Sequence, residues 1–105
     1  MFNIEYIEIK KELIPYSFDI TIEDITYTFD VNYNQLNDFF TLDLLKNSEL
    51  ITLGEKLVYG KPLFLSALYK EVPDISIIPY DLSENTKRIT FDNLNESVFL
   101  YLVGD

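Results

Sequence analysis

The stretch Ile25-Thr26-Tyr27-Thr28-Phe29-Asp30-Val31-Asn32-Tyr33 decides the fold class. Ile25, Tyr27, Phe29, Val31 and Tyr33 recur at every second position, with Thr, Asp and Asn between them. A period of two places all five apolar side chains on one side of an extended chain, whereas a helix would scatter them around its axis. Enrichment in β-branched and aromatic residues strengthens the assignment to a strand. Just upstream, Phe18, Ile20 and Ile22 alternate with Asp19, Thr21 and Glu23. Glu23-Asp24 is left between the two runs and predicts a tight hairpin turn. No glycine is present there to fix the turn type.

Working outward, Phe40, Leu42 and Leu44 form a third alternating run after a polar connection at 34–38. Lys46-Asn47-Ser48 turns the chain into Leu50–Leu53, a short strand that Gly54 is expected to end. Short polar links between consecutive strands imply an antiparallel meander, because parallel neighbours need long crossovers. The second half is less regular. Leu57–Pro62 is an apolar stub, and Leu63–Tyr69 is expected to make one or two helical turns behind Pro62. Ile75–Ile78 predicts a strand stopped by Pro79 and placed at a sheet edge. A polar loop at 81–86 precedes a predicted strand at Lys87–Phe91 and a loop at Asp92–Asn95. Val98–Val103 is apolar at both parities, so both of its faces are expected to be covered. Ile4–Ile9 adds a further strand whose alternation breaks at Tyr6-Ile7. The expected fold is mainly β: a small antiparallel β-sandwich or partly closed β-barrel of about seven or eight strands with at most one short helix. Residues 1–105 read as one domain, with 1–15 an edge strand or arm.

Charge and missing residue types narrow the function. The 105-residue chain carries 18 Asp plus Glu against 8 Lys plus Arg, a formal charge of −10. Such a field disfavours nucleic acid and anionic membrane surfaces, both of which are bound through basic patches. Lys10–Lys11 and Lys87–Arg88 are the only adjacent cation pairs. There is no Cys and no His. That removes the thiol nucleophile, the disulfide and the commonest general base and transition-metal ligand. No signal-peptide pattern opens the sequence, and no apolar run approaches the ~20 residues of a membrane helix, so synthesis in a cytoplasm and no membrane partner are expected. Asn95-Glu96-Ser97 fits a glycosylation sequon but has no secretory context.

Motif tests return little chemistry. Gly54-Glu55-Lys56-Leu57-Val58-Tyr59-Gly60-Lys61-Pro62 fails as a phosphate loop. The glycine spacing is one residue too long, and Pro62 stands where a hydroxyl should ligate Mg²⁺. Glu23-Asp24 with Asp19 and Asp30 lacks the ligand spacing of a calcium loop, and solvated outward faces explain these acids better. No catalytic residue, metal site or cofactor is expected.

The aromatics are the remaining signal. Eight Tyr and eight Phe exceed what one small core hides. Tyr suits half-buried rims and protein contacts, because its ring packs while its hydroxyl stays wet. Two irregular apolar runs are therefore candidate assembly segments. One contributes Ile4, Tyr6, Ile7 and Ile9; the other contributes Leu57, Val58, Tyr59, Lys61 and Leu63, with Tyr80 added as a further tyrosine near a segment end.

The order of segments resembles the baseplate plug family of contractile-tailed bacteriophages and related prophage or bacteriocin-like particles. The resemblance rests on several stretches in sequence: the pair Phe18–Ile22 and Ile25–Tyr33, then Phe40-Thr41-Leu42-Asp43-Leu44, then Leu57-Val58-Tyr59-Gly60-Lys61-Pro62-Leu63. Thr90-Phe91-Asp92-Asn93-Leu94 and Val98–Val103 complete it, covering residues 16–103. It implies a non-enzymatic structural subunit in the virion tail baseplate, at the distal end of the tail tube. The implied partners are tube and hub proteins, with copies of the chain forming a homo-oligomer within a ring. Two other readings stay open: a small acidic inhibitor that mimics DNA, and a carboxylate-based wall-cutting enzyme.

Overall fold

The computed structural model describes residues 5–65 and 75–103. Seven strands make up the described fold: β1 (Glu5–Ile7), β2 (Tyr16–Ile22), β3 (Ile25–Asn34), β4 (Phe39–Lys46), β5 (Glu49–Lys56), β6 (Ser76–Tyr80) and β7 (Phe99–Val103). A single 3-10 turn at Lys11–Leu13 joins β1 to β2. The strands form two antiparallel sheets, ordered β2-β3-β4-β5 and β1-β7-β6. The sheets do not close into a barrel.

The meander follows from the alternation. In the β2–β3 pairing Phe18 faces Phe29 and Ile20 faces Tyr27; in β3–β4 Phe29 faces Leu44 and Val31 faces Leu42. Each apolar residue thus meets an apolar residue across the ladder, and a slip of one position would turn the whole set to water. Phe29, Phe40, Leu42 and Leu44 are completely buried, and Ile7, Ile77 and Leu100 of the second sheet join the same cluster. Burial of one such side chain contributes roughly 1.5–3 kcal/mol.

Two hairpins share one turn solution. Glu23 (φ 53°) and Asp24 (φ 67°) are both left-handed, as are Asn47 (φ 50°) and Ser48 (φ 71°). Positive φ at both central residues marks the type I′ turn, whose twist matches the strands it joins. The Glu23-Asp24 turn therefore forms without glycine.

Several expectations are corrected. Gly54 does not end its strand: β5 continues to Lys56, and the β4–β5 register shifts between Leu42 and Leu45. Gly54 sits at φ +70° in this irregularity, and its N–H donates to Asp43 Oδ1 at 2.7 Å. It makes a bulge, not a stop. Pro79 likewise lies inside β6, which is an edge strand as expected. In an antiparallel strand a residue's N–H and C=O point the same way, and the Pro79 carbonyl points away from β7 to accept from Gly60 N–H at 2.8 Å. The missing donor therefore costs no ladder bond with β7.

No helix starts at Leu63. Leu63–Leu65 form a turn with Phe64 at φ 65°, and residues 66–69 of the expected helix lie outside the described residues. Lys87–Phe91 is not a strand. Asn93 organises it as a loop, accepting from Thr90 N–H at 2.8 Å and donating to the Arg88 carbonyl at 2.8 Å. Local amide bonds of this kind compete with a sheet ladder. Both faces of β7 are covered only in part: Leu100 and Tyr101 are buried, while Phe99 and Leu102 are half-buried.

Candidate assembly surfaces

The ten residues singled out from the sequence divide by burial. Ile7, Ile9, Leu57 and Leu63 belong to the core. Tyr6, Val58 and Lys61 are exposed, Tyr59 and Tyr80 are half-buried, and Ile4 lies outside the described residues. The division has a simple cause. In β1 and β7, Ile7 faces Leu100 toward the interior, so its neighbour Tyr6 points outward, opposite Tyr101.

Strand parity gathers aromatics on that outer face. Tyr6 opposes Tyr101, Phe99 opposes Tyr80, and Tyr101 also opposes Ile78. Ring centroids of Tyr6 and Phe99 lie 4.6 Å apart, and those of Phe99 and Tyr101 lie 6.0 Å apart. Tyr59 stacks on Tyr80 at 5.3 Å and 24°. Two segments distant in sequence, around Tyr6 and around Tyr59, are thus brought to one aromatic face. Tyr6, 50% exposed, is its most open ring. Burial raises the Tyr101 hydroxyl above its ordinary pKa, and the Glu84 carboxylate raises that of Tyr80, so both phenols stay neutral at physiological pH.

The Leu57–Leu63 run is latched to β6. Besides Gly60 N–H to Pro79, Leu63 N–H donates to the Ile77 carbonyl at 2.9 Å. Tyr59 Oη accepts from Asp81 N–H at 3.0 Å. Asp81, only 2% exposed, holds the next turn, with Oδ1 accepting from Ser83 N–H at 2.9 Å and Ser83 Oγ–H at 2.6 Å. The Ser83 hydroxyl bond keeps its carboxyl below the ordinary range despite burial. At the far side Glu55 Oε2 accepts from Phe64 N–H at 3.0 Å.

A second surface was missed in the sequence. A groove of about 220 Å³ opens beside the β3–β4 turn, where Lys56, Lys87 and Arg88 surround Val58 and Asp38. Three of the chain's eight cations therefore meet in one place. Lys56 Nζ lies 4.7 Å from the Phe39 ring centroid, and Arg88 Nη1 is 3.5 Å from Asp38 Oδ2. Asp38 anchors the wall: its Oδ1 accepts from Tyr33 Oη–H at 2.7 Å and from Phe91 N–H at 2.9 Å. The Tyr33 bond holds the Asp38 carboxyl below its ordinary value and raises the tyrosine above its own. The adjacent pair Lys87–Arg88 was the available sequence signal; its convergence with Lys56 depends on the loop that Asn93 shapes.

The outward acids of the long sheet are engaged with neighbours. Asp19 Oδ1 accepts from Thr28 Oγ1–H at 2.7 Å, and Asp30 accepts from Ser17 Oγ–H. Among the described residues, no group of three or more carboxylates converges as a metal site would require. Asn95 of the sequon donates its side-chain N–H to the Ile9 carbonyl, tying the 90–98 loop to the segment after β1.

An aromatic face and a cationic groove are surfaces through which a small two-sheet β protein can join an assembly. The sequence comparison names the family. Residues 4–105 match the family described as cyanophage baseplate Pam3 plug gp18, and the chain belongs to it. Membership supports a structural role in a phage tail baseplate and contacts with other baseplate components. No curated protein sequence matches the chain.

Proposed function

We propose that the protein is a non-catalytic structural subunit at the distal end of the tail tube, made in the bacterial cytoplasm and packed there against tube and hub proteins as one of several copies in a ring. The observation that carries the reading is the family match, which spans almost the whole chain. The aromatic face supports it: Tyr6, Tyr59 and Tyr80 lie beside Phe99 and Tyr101, the residue type that anchors protein contacts. Of the residues chosen from the sequence, Tyr6, Tyr59, Val58, Lys61 and Tyr80 are open enough to touch a partner directly. Ile7, Ile9, Leu57 and Leu63 act by holding those residues in place.

Co-purification of the chain with tube and hub proteins of the same particle tests this. Tyr6→Ala should cut recovery of at least one partner about tenfold, as truncation of an interface anchor does, while the thermal midpoint of the isolated chain changes little. Failure of the wild-type chain to bind any tube or hub protein would refute it.

A further inference from the structure

The two ends of the long sheet carry opposite charge. One end holds the type I′ tip Glu23-Asp24 and, beside it, the Asn47-Ser48 tip, at whose base Glu49 faces Lys46 across the ladder. The other end holds the groove of Lys56, Lys87 and Arg88 against Asp38. β3 runs the whole way between them; ten residues at ~3.3 Å each separate tip and groove by about 30 Å. In a chain of net charge −10, a cationic groove facing away from its own acidic tip cannot be satisfied by that tip.

We infer that the groove formed by Lys56, Lys87 and Arg88 receives the Glu23-Asp24 hairpin tip of a second copy of this chain. This rests on the reading that the protein works as a repeated subunit, and it names the surfaces that would join one copy to the next. The contact is heterologous: a different patch on each partner, which generates a closed ring when the rotation per step divides a full turn. Both complementary halves are present in one sequence, which favours a second copy over a foreign acidic segment. Net repulsion between two acidic chains does not forbid it, since screening at physiological ionic strength acts over about 8 Å while the opposed charges meet at contact. Val58 and Leu57 give the groove an apolar floor for the hairpin stem.

The test is sedimentation velocity of the full chain across concentration and salt. Wild type should associate reversibly at physiological ionic strength, and less in roughly 1 M salt, where the screening length is about 3 Å. Two variants each remove one half of the contact. Lys56→Glu with Lys87→Glu reverses the groove without touching the Arg88–Asp38 pair. Glu23→Asn with Asp24→Gly neutralises the tip while installing the residues a type I′ turn prefers, so the fold should be at least as stable as before. Each variant alone should associate at least tenfold more weakly. Their mixture should form 1:1 dimers that grow no further, because the tip variant keeps a working groove and the groove variant keeps a working tip. A monomeric wild type, variants that associate like wild type, or a mixture that forms no dimer would overturn the inference. So would a groove that binds an acidic peptide probe while the chain stays monomeric. Tube and hub binding, measured separately, tells loss of this contact from loss of the structural role.

Discussion

Replacing Tyr59 with Phe removes one oxygen and nothing else, yet it should destabilise the isolated chain measurably. The hydroxyl accepts from Asp81 N–H at 3.0 Å, and Asp81 is 2% exposed. Without that acceptor a buried backbone donor is orphaned, which costs about 1–3 kcal/mol. The second bond of the hydroxyl, to the Asp81 carbonyl at 3.5 Å, is long enough to add little. A loss of ~1.5 kcal/mol corresponds to a fall in thermal midpoint of roughly 6–12 °C for a domain of this size. With a urea slope near 1.5 kcal/mol/M, the unfolding midpoint should drop by about 1 M at unchanged slope. Tyr16→Phe is the internal control. Its hydroxyl accepts from Lys10 N–H at 2.8 Å at an exposed site, where water replaces the lost acceptor. Tyr16→Phe should therefore cost less than half as much. If Tyr59→Phe shifts the urea midpoint by less than about 0.2 M, or if the control costs more, the latch between the Leu57–Leu63 run and β6 does not hold the chain as described.

Phe29→Ala empties the centre of the core, where the ring meets Phe18 at 5.5 Å and Phe64 at 5.9 Å. A loss of about 3–5 kcal/mol out of a total near 5–15 should lower the thermal midpoint by 12 °C or more. Gly54→Ala meets no atom within 4 Å of the added carbon, so its cost is backbone strain alone at φ +70°. About 1 kcal/mol in urea titration is expected, without loss of strand circular dichroism. Acid should weaken the fold through Asp38 and Asp81. Both carboxyls titrate below their ordinary 3.8 when folded, so the unfolded chain binds protons first. Their contribution is complete above that value and disappears as pH falls through the folded values. The stability gap between wild type and Asp81→Asn should therefore shrink below pH 3.8.

The meander was legible because Ile25–Tyr33 obeys one rule over nine residues, and each strand after it inherits the same facing pattern. Gly54 and Pro79 were misread for a shared reason: both break a strand in isolation, and both are tolerated at an edge, where a bulge or an outward-facing nitrogen is harmless. Lys87–Phe91 had the composition of a strand, but the deciding residue was Asn93, which captures the backbone three and five positions upstream. The aromatic candidates Tyr6, Tyr59 and Tyr80 could be picked out by their irregular surroundings. Their meeting on one face could not, since it depends on how β1, β6 and β7 order themselves. The cationic groove was out of reach for the same reason.

The covered flank of β6 bears on how such a unit can be counted. Backbone donors from Gly60 and Leu63 occupy the carbonyls that an incoming strand would need. The opposite flank of that sheet is β1, three residues long, and the last strand of the larger sheet is bent by its bulge. β2 is the exception: seven residues long and in unbroken register, it pairs among the described strands only with β3, so its outer flank is open to strand addition. Strand addition is therefore channelled to one flank of the molecule; neighbours elsewhere meet through side chains, where the rotation that each contact imposes decides between a closed ring and an open filament.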